Sequence, residues 1–343
     1  MTSVILKKAL TFIFLSSLII CLTPRFSKGE GVLNLYSARQ EVLLRPLIKL
    51  FEKKHNIKVN IIAAKADQLI NRLEQEGQYT KADVLLTVDV ARLINAKEKG
   101  LFKPIISSNL NSMIPKQFRD SENHWFGLSL RGRIIIYNKN KVSKNQLKGY
   151  ANLADEEWKG KILVRSSNNV YNQSLISAML INYGEDKTDR FLKGFVSNFA
   201  RKPAGGDRDQ IKAVVSGVGD LALVNSYYFL NMKSKDNKNI LKDLAVHFPE
   251  DSEMKTHVNI SGAGIVKYSE NTNNALTFLE YMVSNDAQKI YASVNFEYPI
   301  RKNLQLNDFI KEYKIPNKDK IALSRIGLVN KEAIIMMDKS GWK

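Results

Sequence analysis

Between residues 32 and 100 three short apolar runs, VLNLYSA, KVNIIAA and ADVLLTVD, alternate with three amphipathic ones, RPLIKLFEKKHNI, ADQLINRLEQEG and VARLINAKEKG. The apolar runs have the length and composition of strands. The others repeat apolar residues at helical spacing, with Leu47, Ile48, Leu50 and Phe51 on one side of the first. Gly77 and Gly100 close the second and third helices. Strands and helices alternating in this way predict a mostly parallel sheet with helices on both faces.

A second unit of the same kind follows WFGLSLRGRIIIYN, residues 125–138. KGKILVRSS and DLALVNS read as strands; NQSLISAMLINYG, DRFLKGFVSNFA and DQIKAVVSGVG read as helices. HVNISGAGIVK, residues 257–267, is strand-like, and NNALTFLEYMVSNDAQKIYASV reads as one strong helix. A chain of 343 residues can fill about two cores. No low-complexity linker separates the units, so strands should cross between them and leave a cleft at the carboxyl ends of both sheets. The fold class expected is α/β, a two-lobe clamshell with a mostly parallel sheet flanked by helices in each lobe.

Residues 1–29 are different in kind. Lys7 and Lys8 precede an apolar run over residues 9–22, short for a membrane span and suited to a signal-peptide core, and Ser27 and Gly29 are spaced for cleavage after Gly29. A rival reading, a lipoprotein anchored through Cys21, lacks the small residue that should stand before such a cysteine. Cleavage removes the single cysteine, which excludes thiolate metal sites and cysteine nucleophiles, and an exported chain without disulfides suits a bacterial periplasm. The formal charge of +18 becomes +14, because the segment carries Lys7, Lys8, Arg25 and Lys28 and no acid. The remaining cations are scattered through Lys- and Asn-rich text, which argues against nucleic acid as a partner and against stable membrane insertion.

Catalytic constellations are missing from the sequence. His55, His124, His247 and His257 share no ligand-like spacing, and the GVGD and GAG stretches match neither a phosphate loop nor a dinucleotide fingerprint. No G-x-S-x-G elbow is present either, so nothing argues for an enzyme. The chemistry left is phenolic. Tyr171, in RSSNNVYNQSL, should lie near a helix N-terminus, while Tyr227 and Tyr228 follow a buried strand in LALVNSYYFLN. Regular structure would send adjacent rings apart, so an irregular turn is expected to aim both hydroxyls at one point. A phenol ionises near pH 10 in water. Three phenolates therefore need a strong electrophile, and Fe³⁺ is hard, small and neutralised by three such anions. Arg131 and Arg133, in LRGR, would steady the phenolates or a bound anion, or else form one solvent-facing pair.

The stretches LNLYSARQ, KADVLLTVD, WFGLSLRGRIIIYN, EWKGKILVRSSNNVYNQSL, GDLALVNSYY and HVNISGAGIVK resemble the bacterial periplasmic ferric-ion-binding proteins, the substrate-binding components of iron(III) ABC transporters. The likeness covers nearly the whole mature chain. It implies Fe(III) as transported ligand, held by Tyr171, Tyr227 and Tyr228, with an inner-membrane ABC permease as partner and a monomeric state. It also implies lobe one as residues 30–127 and 258–308, lobe two as 128–257, and C-terminal helices over 309–343 on lobe two. One part departs from the pattern: Gln40 and Glu41 stand where relatives of this branch carry His and Tyr. Glu41 is a hard oxygen donor that could replace the phenolate, Gln40 offers only an amide oxygen, and the first-lobe ligand stays open, with water or a small anion to complete the shell. Another branch places a glutamate where Val88 stands, and Asp89, one residue on, should point elsewhere. Two further readings stay open: a same-fold binder of another small solute, such as an anion or organic cation, and a peripheral membrane or nucleic-acid binder using the +14 charge.

Overall fold

The computed structural model describes residues 31–343 except 237, 302 and 303. The signal-peptide and Cys21 expectations fall outside those residues. The described chain opens as β1 (Gly31–Ser37), α1 (Glu41–His55), β2 (Ile57–Ala63), α2 (Ala66–Glu76), β3 (Val84–Thr87) and α3 (Val90–Glu98). Leu44, Leu47, Ile48 and Phe51 form the buried stripe of α1, which starts one turn before the run read from the sequence. After α4 (Ser108–Met113) comes the long strand β4 (Phe126–Asn138), every residue of which is buried except the last.

The second group comprises β5 (Ile162–Leu163), α5 (Val170–Tyr183), α6 (Glu185–Ser197), α7 (Asp207–Val215), β6 (Leu221–Asn225), α8 (Ser226–Lys233) and β7 (Leu244–His247). The chain then returns through β8 (Val258–Ile265), α9 (Thr272–Met282), α10 (Asn285–Ser293) and β9 (Tyr298–Pro299), and ends in α11 (Asp308–Glu312) and α12 (Ser324–Lys339). The single helix expected over the α9–α10 stretch is two. Ser284 accepts from the Ala287 amide as an N-cap, and a serine oxygen at that spot starts a new helix and ends the old one.

The strands run β2-β1-β3-β8-β4-β6-β5, with β7 and β9 also paired to β4. Parallel pairing, as expected, joins β1 to β2 and β3 and β5 to β6. Toward the middle the sheet is antiparallel, because β4 and β8 run from one half of the molecule to the other in opposite senses. Residues Phe126 to Gly132 of β4 pair with β8, and Arg133 to Tyr137 pair with β6. A strand that changes partners midway is what joins two lobes without a linker. At Gly127 a Cβ would lie 2.7 Å from the Phe118 carbonyl oxygen, so that close backbone approach needs glycine. One apolar cluster fills the β1–β3 side and the crossing region, and a second packs α5, α6 and α12 around Trp158 and Trp342. No helix among the described residues is long and apolar enough to cross a membrane.

Candidate metal centre

Tyr171, Tyr227 and Tyr228 meet at one cavity of about 110 Å³, although 56 residues separate the first from the second. Tyr171 lies in the first turn of α5, where the Asn169 side chain caps the helix by accepting from the Tyr171 amide at 3.2 Å. Tyr227 and Tyr228 lie in the first turn of α8, so the expected irregular turn is replaced by a helix start. Helical side chains lean toward the N-terminus, which lets neighbouring rings at that end project past the helix into the same space. The two ring centroids are 4.1 Å apart, and the Tyr171 and Tyr227 hydroxyls are 3.5 Å apart. Both helix N-termini favour negative charge at the oxygens they carry.

Burial, more than anything else, pushes the Tyr171 phenol up to about 12; the Tyr228 oxygen adds to the shift and Arg131 opposes it. Burial likewise raises Tyr227 well above the ordinary phenol range, with Tyr171 and Tyr228 contributing. At neutral pH those two hydroxyls hold their protons until an electrophile displaces them. A cation bound by these oxygens would have to displace their protons, which takes a strong Lewis acid.

The opposite wall comes from the segment between β1 and α1, from Val88, and from Ser261 and Glu297. Its charges are already matched. Arg39 pairs with Glu297 at 2.8 and 3.1 Å, both side chains are 2% exposed, and Ser129 donates to the same carboxylate. Burial opposes the Arg39 charge, yet the Glu297 carboxylate holds the guanidinium above its usual range. Sequence reasoning missed this pair, whose members are 258 positions apart. The available signal was an acid set among apolar residues in VNFEYPI.

Of the two first-lobe ligands expected, Gln40 lines the cavity and Glu41 does not. Glu41 begins α1 and pairs with Arg45 one turn along, with its side chain 42% exposed. Val88 lines the cavity, and Asp89 turns away from it into a buried network. Ala38 and Val88 also border a more open cavity of about 460 Å³ whose cations are Lys65, Arg92 and Arg165.

Arg131 and Arg133 are both buried, which removes the solvent-facing alternative. Arg131 lines the cavity with its guanidinium carbon 5.2 Å from the Tyr171 ring centre, donating to Ser261 Oγ at 3.0 Å and the Ile260 carbonyl at 2.8 Å. Its Nε has no hydrogen-bond partner among the described residues. Arg133 sits behind the cavity instead of in it. It pairs with Asp207 at 3.0 Å and donates to Asn172 at 2.5 Å and Asn225 at 3.3 Å, the residues next to Tyr171 and at the start of α8. From there it ties together the two tyrosine-bearing helix starts. A separate group of metal-ligand types, Asp120, Glu122 and His124, already surrounds an ammonium, with Lys97 at 2.8 and 2.9 Å from the two carboxylates.

Residues 79–322 match the pattern that defines the bacterial extracellular solute-binding proteins. The chain is 42% identical over 314 residues to iron uptake protein A1 of Synechocystis, covering 91% of this chain and 87% of that one. A solved structure of the Trichodesmium protein IdiA (FutA), in complex with iron and citrate ligands, is 44% identical with a TM-score of 0.86, covering 91% of this chain and all of the other. The ferric iron-binding protein A of Mannheimia haemolytica in an open conformation is 41% identical with a TM-score of 0.83, covering 91% and 99%. These neighbours share the two-lobe binding-protein fold, which the strand exchange along β4 builds here. The chain belongs to the bacterial extracellular solute-binding protein family.

Proposed function

We propose that this protein binds ferric iron in the periplasm and delivers it to an inner-membrane ABC permease. The observation that carries the reading is the convergence of Tyr171, Tyr227 and Tyr228, at two helix N-termini, on one small cavity. Three phenolates match a trivalent ion in charge and hardness, and the named relatives are iron uptake and ferric-binding proteins. Arg131, free of any carboxylate partner among the described residues, balances an anion or water that completes the shell.

In this reading residues 1–29 are an export signal and the mature protein acts as a monomer. Lobe one comprises 30–127 and 258–308, lobe two 128–257 with the C-terminal helices, and closure brings Gln40 over the tyrosines. The test is a titration of the purified mature protein with ferric citrate. Phenolate-to-iron charge transfer should give a visible band that saturates at one iron per chain; a protein that stays colourless in excess ferric citrate overturns the assignment.

A further inference from the structure

Asp89 is a fully buried carboxylate that the tyrosine site does not use. Its local role, capping α3, needs a single hydrogen bond, which Oδ1 accepts from the Ala91 amide at 2.9 Å. It takes two more. Ser174 Oγ, on α5, donates to Oδ1 at 2.8 Å, and Asn259 Nδ2, on the crossing strand β8, donates to Oδ2 at 3.0 Å. The Asn259 oxygen in turn accepts from the Val90 amide at 3.1 Å, so α3 is held to β8 twice. These bonds differ in what they join. Ala91, Val90 and Asn259 lie on the side of β3 and β8, whereas Ser174 lies one turn beyond Tyr171 on the helix that carries it. The Ser174 hydroxyl is the donor that reaches this carboxylate from across the cleft.

We propose that the Asp89–Ser174 hydrogen bond is a pin between α3 and α5 that holds the cleft shut over the metal and sets how long the metal stays. This rests on the ferric-iron reading above. A hydrogen bond to a buried charge is among the stronger ones. Ser174 is not a ligand, so losing its hydroxyl should alter release and leave the iron's own surroundings unchanged.

The test loads wild type and Ser174→Ala with ferric citrate, adds excess EDTA and follows decay of the visible band. Ser174→Ala should release iron about tenfold faster, with the band maximum and the apo melting temperature unchanged. Equal decay rates, or a lower apo melting temperature with an unchanged decay rate, overturn the pin and leave the iron reading standing. Should the wild type show no band, the iron reading fails by itself, and small-angle scattering then judges the pin: Ser174→Ala no more open than wild type overturns it.

Discussion

On the wall built by α5 and α8 three phenol oxygens meet at two helix starts, whereas the wall between β1 and α1 presents Arg39 and Glu297 already neutralising each other. The first wall becomes charged only by giving up protons. The second has its charge closed within itself and adds the amide of Gln40. The contrast implies a division of labour: one wall captures the cation and the other covers it. If the division holds, a substitution on one wall should leave the other wall's property untouched.

The largest effect is expected on the phenol wall. Losing an outer-shell partner of a metal typically costs about 10–100-fold in affinity, and a direct ligand should cost at least the upper end of that. Tyr227→Phe with Tyr228→Phe should therefore lower ferric affinity by more than about 10⁴-fold and abolish the visible band. The apo fold should change little, since among the described residues the Tyr227 hydroxyl has only the 3.5 Å contact with Tyr171. Full affinity in the double variant would break the comparison at its base. The same wall sets the pH dependence. Tyr171 stays protonated up to about 12, so each phenolate formed on binding releases a proton and affinity must fall as pH falls. Ferric affinity measured across pH 5–8 with a non-titrating competitor should change by about three protons per iron if all three phenols bind.

The covering wall should respond in stability instead. Glu297→Gln strands Arg39 as a buried cation with no carboxylate, and breaking a buried pair costs about 3–5 kcal/mol. Chemical denaturation of the apo protein should show that loss, while the charge-transfer band keeps its position. A shifted band would show that Glu297 reaches the metal and that the walls are not separate. Between the two stands Arg131, whose guanidinium faces the Tyr171 ring. Arg131→Gln removes the cation that opposes the rise in the Tyr171 and Tyr227 phenols, and should weaken ferric binding about tenfold. Equal affinities in wild type and variant would remove Arg131 from the site.

What the sequence made legible follows the same division. The tyrosines could be found because adjacency and loop signals are local: NSYY after a buried strand and NNVY before a helix are each read within ten residues. The βα order of the first unit was equally local. The Arg39–Glu297 pair, the Asp89 network and the partner change along β4 were not, because each depends on segments brought together from more than 80 positions apart. Arg133 shows the limit most plainly. It is two residues from Arg131 on one strand, so their side chains share a face, yet the different environments at either side of Gly132 give Arg131 only the Ser261 hydroxyl and the Ile260 carbonyl and give Arg133 the Asp207 carboxylate. No spacing rule separates those fates.

Glu41 supplies the smallest effect and the sharpest check on the covering wall. The departure from the familiar pattern at SARQE made it a candidate replacement ligand, and a carboxylate there would turn a neutral cover into a fourth anionic donor. Its position as the first residue of α1 points to the bland role: an acid in the first turn complements the helix dipole, and its pairing with Arg45 is an exposed contact four residues apart. Glu41→Gln should therefore cost no more than about 0.5–1 kcal/mol of stability, and ferric affinity, band position and the EDTA-driven release rate should match wild type. If Glu41 swings inward on iron binding, the same variant should instead lose affinity about 100-fold or more while keeping its colour, because the phenolates remain. A ferric competition titration on this one variant separates a covering wall that only encloses the metal from one that also binds it.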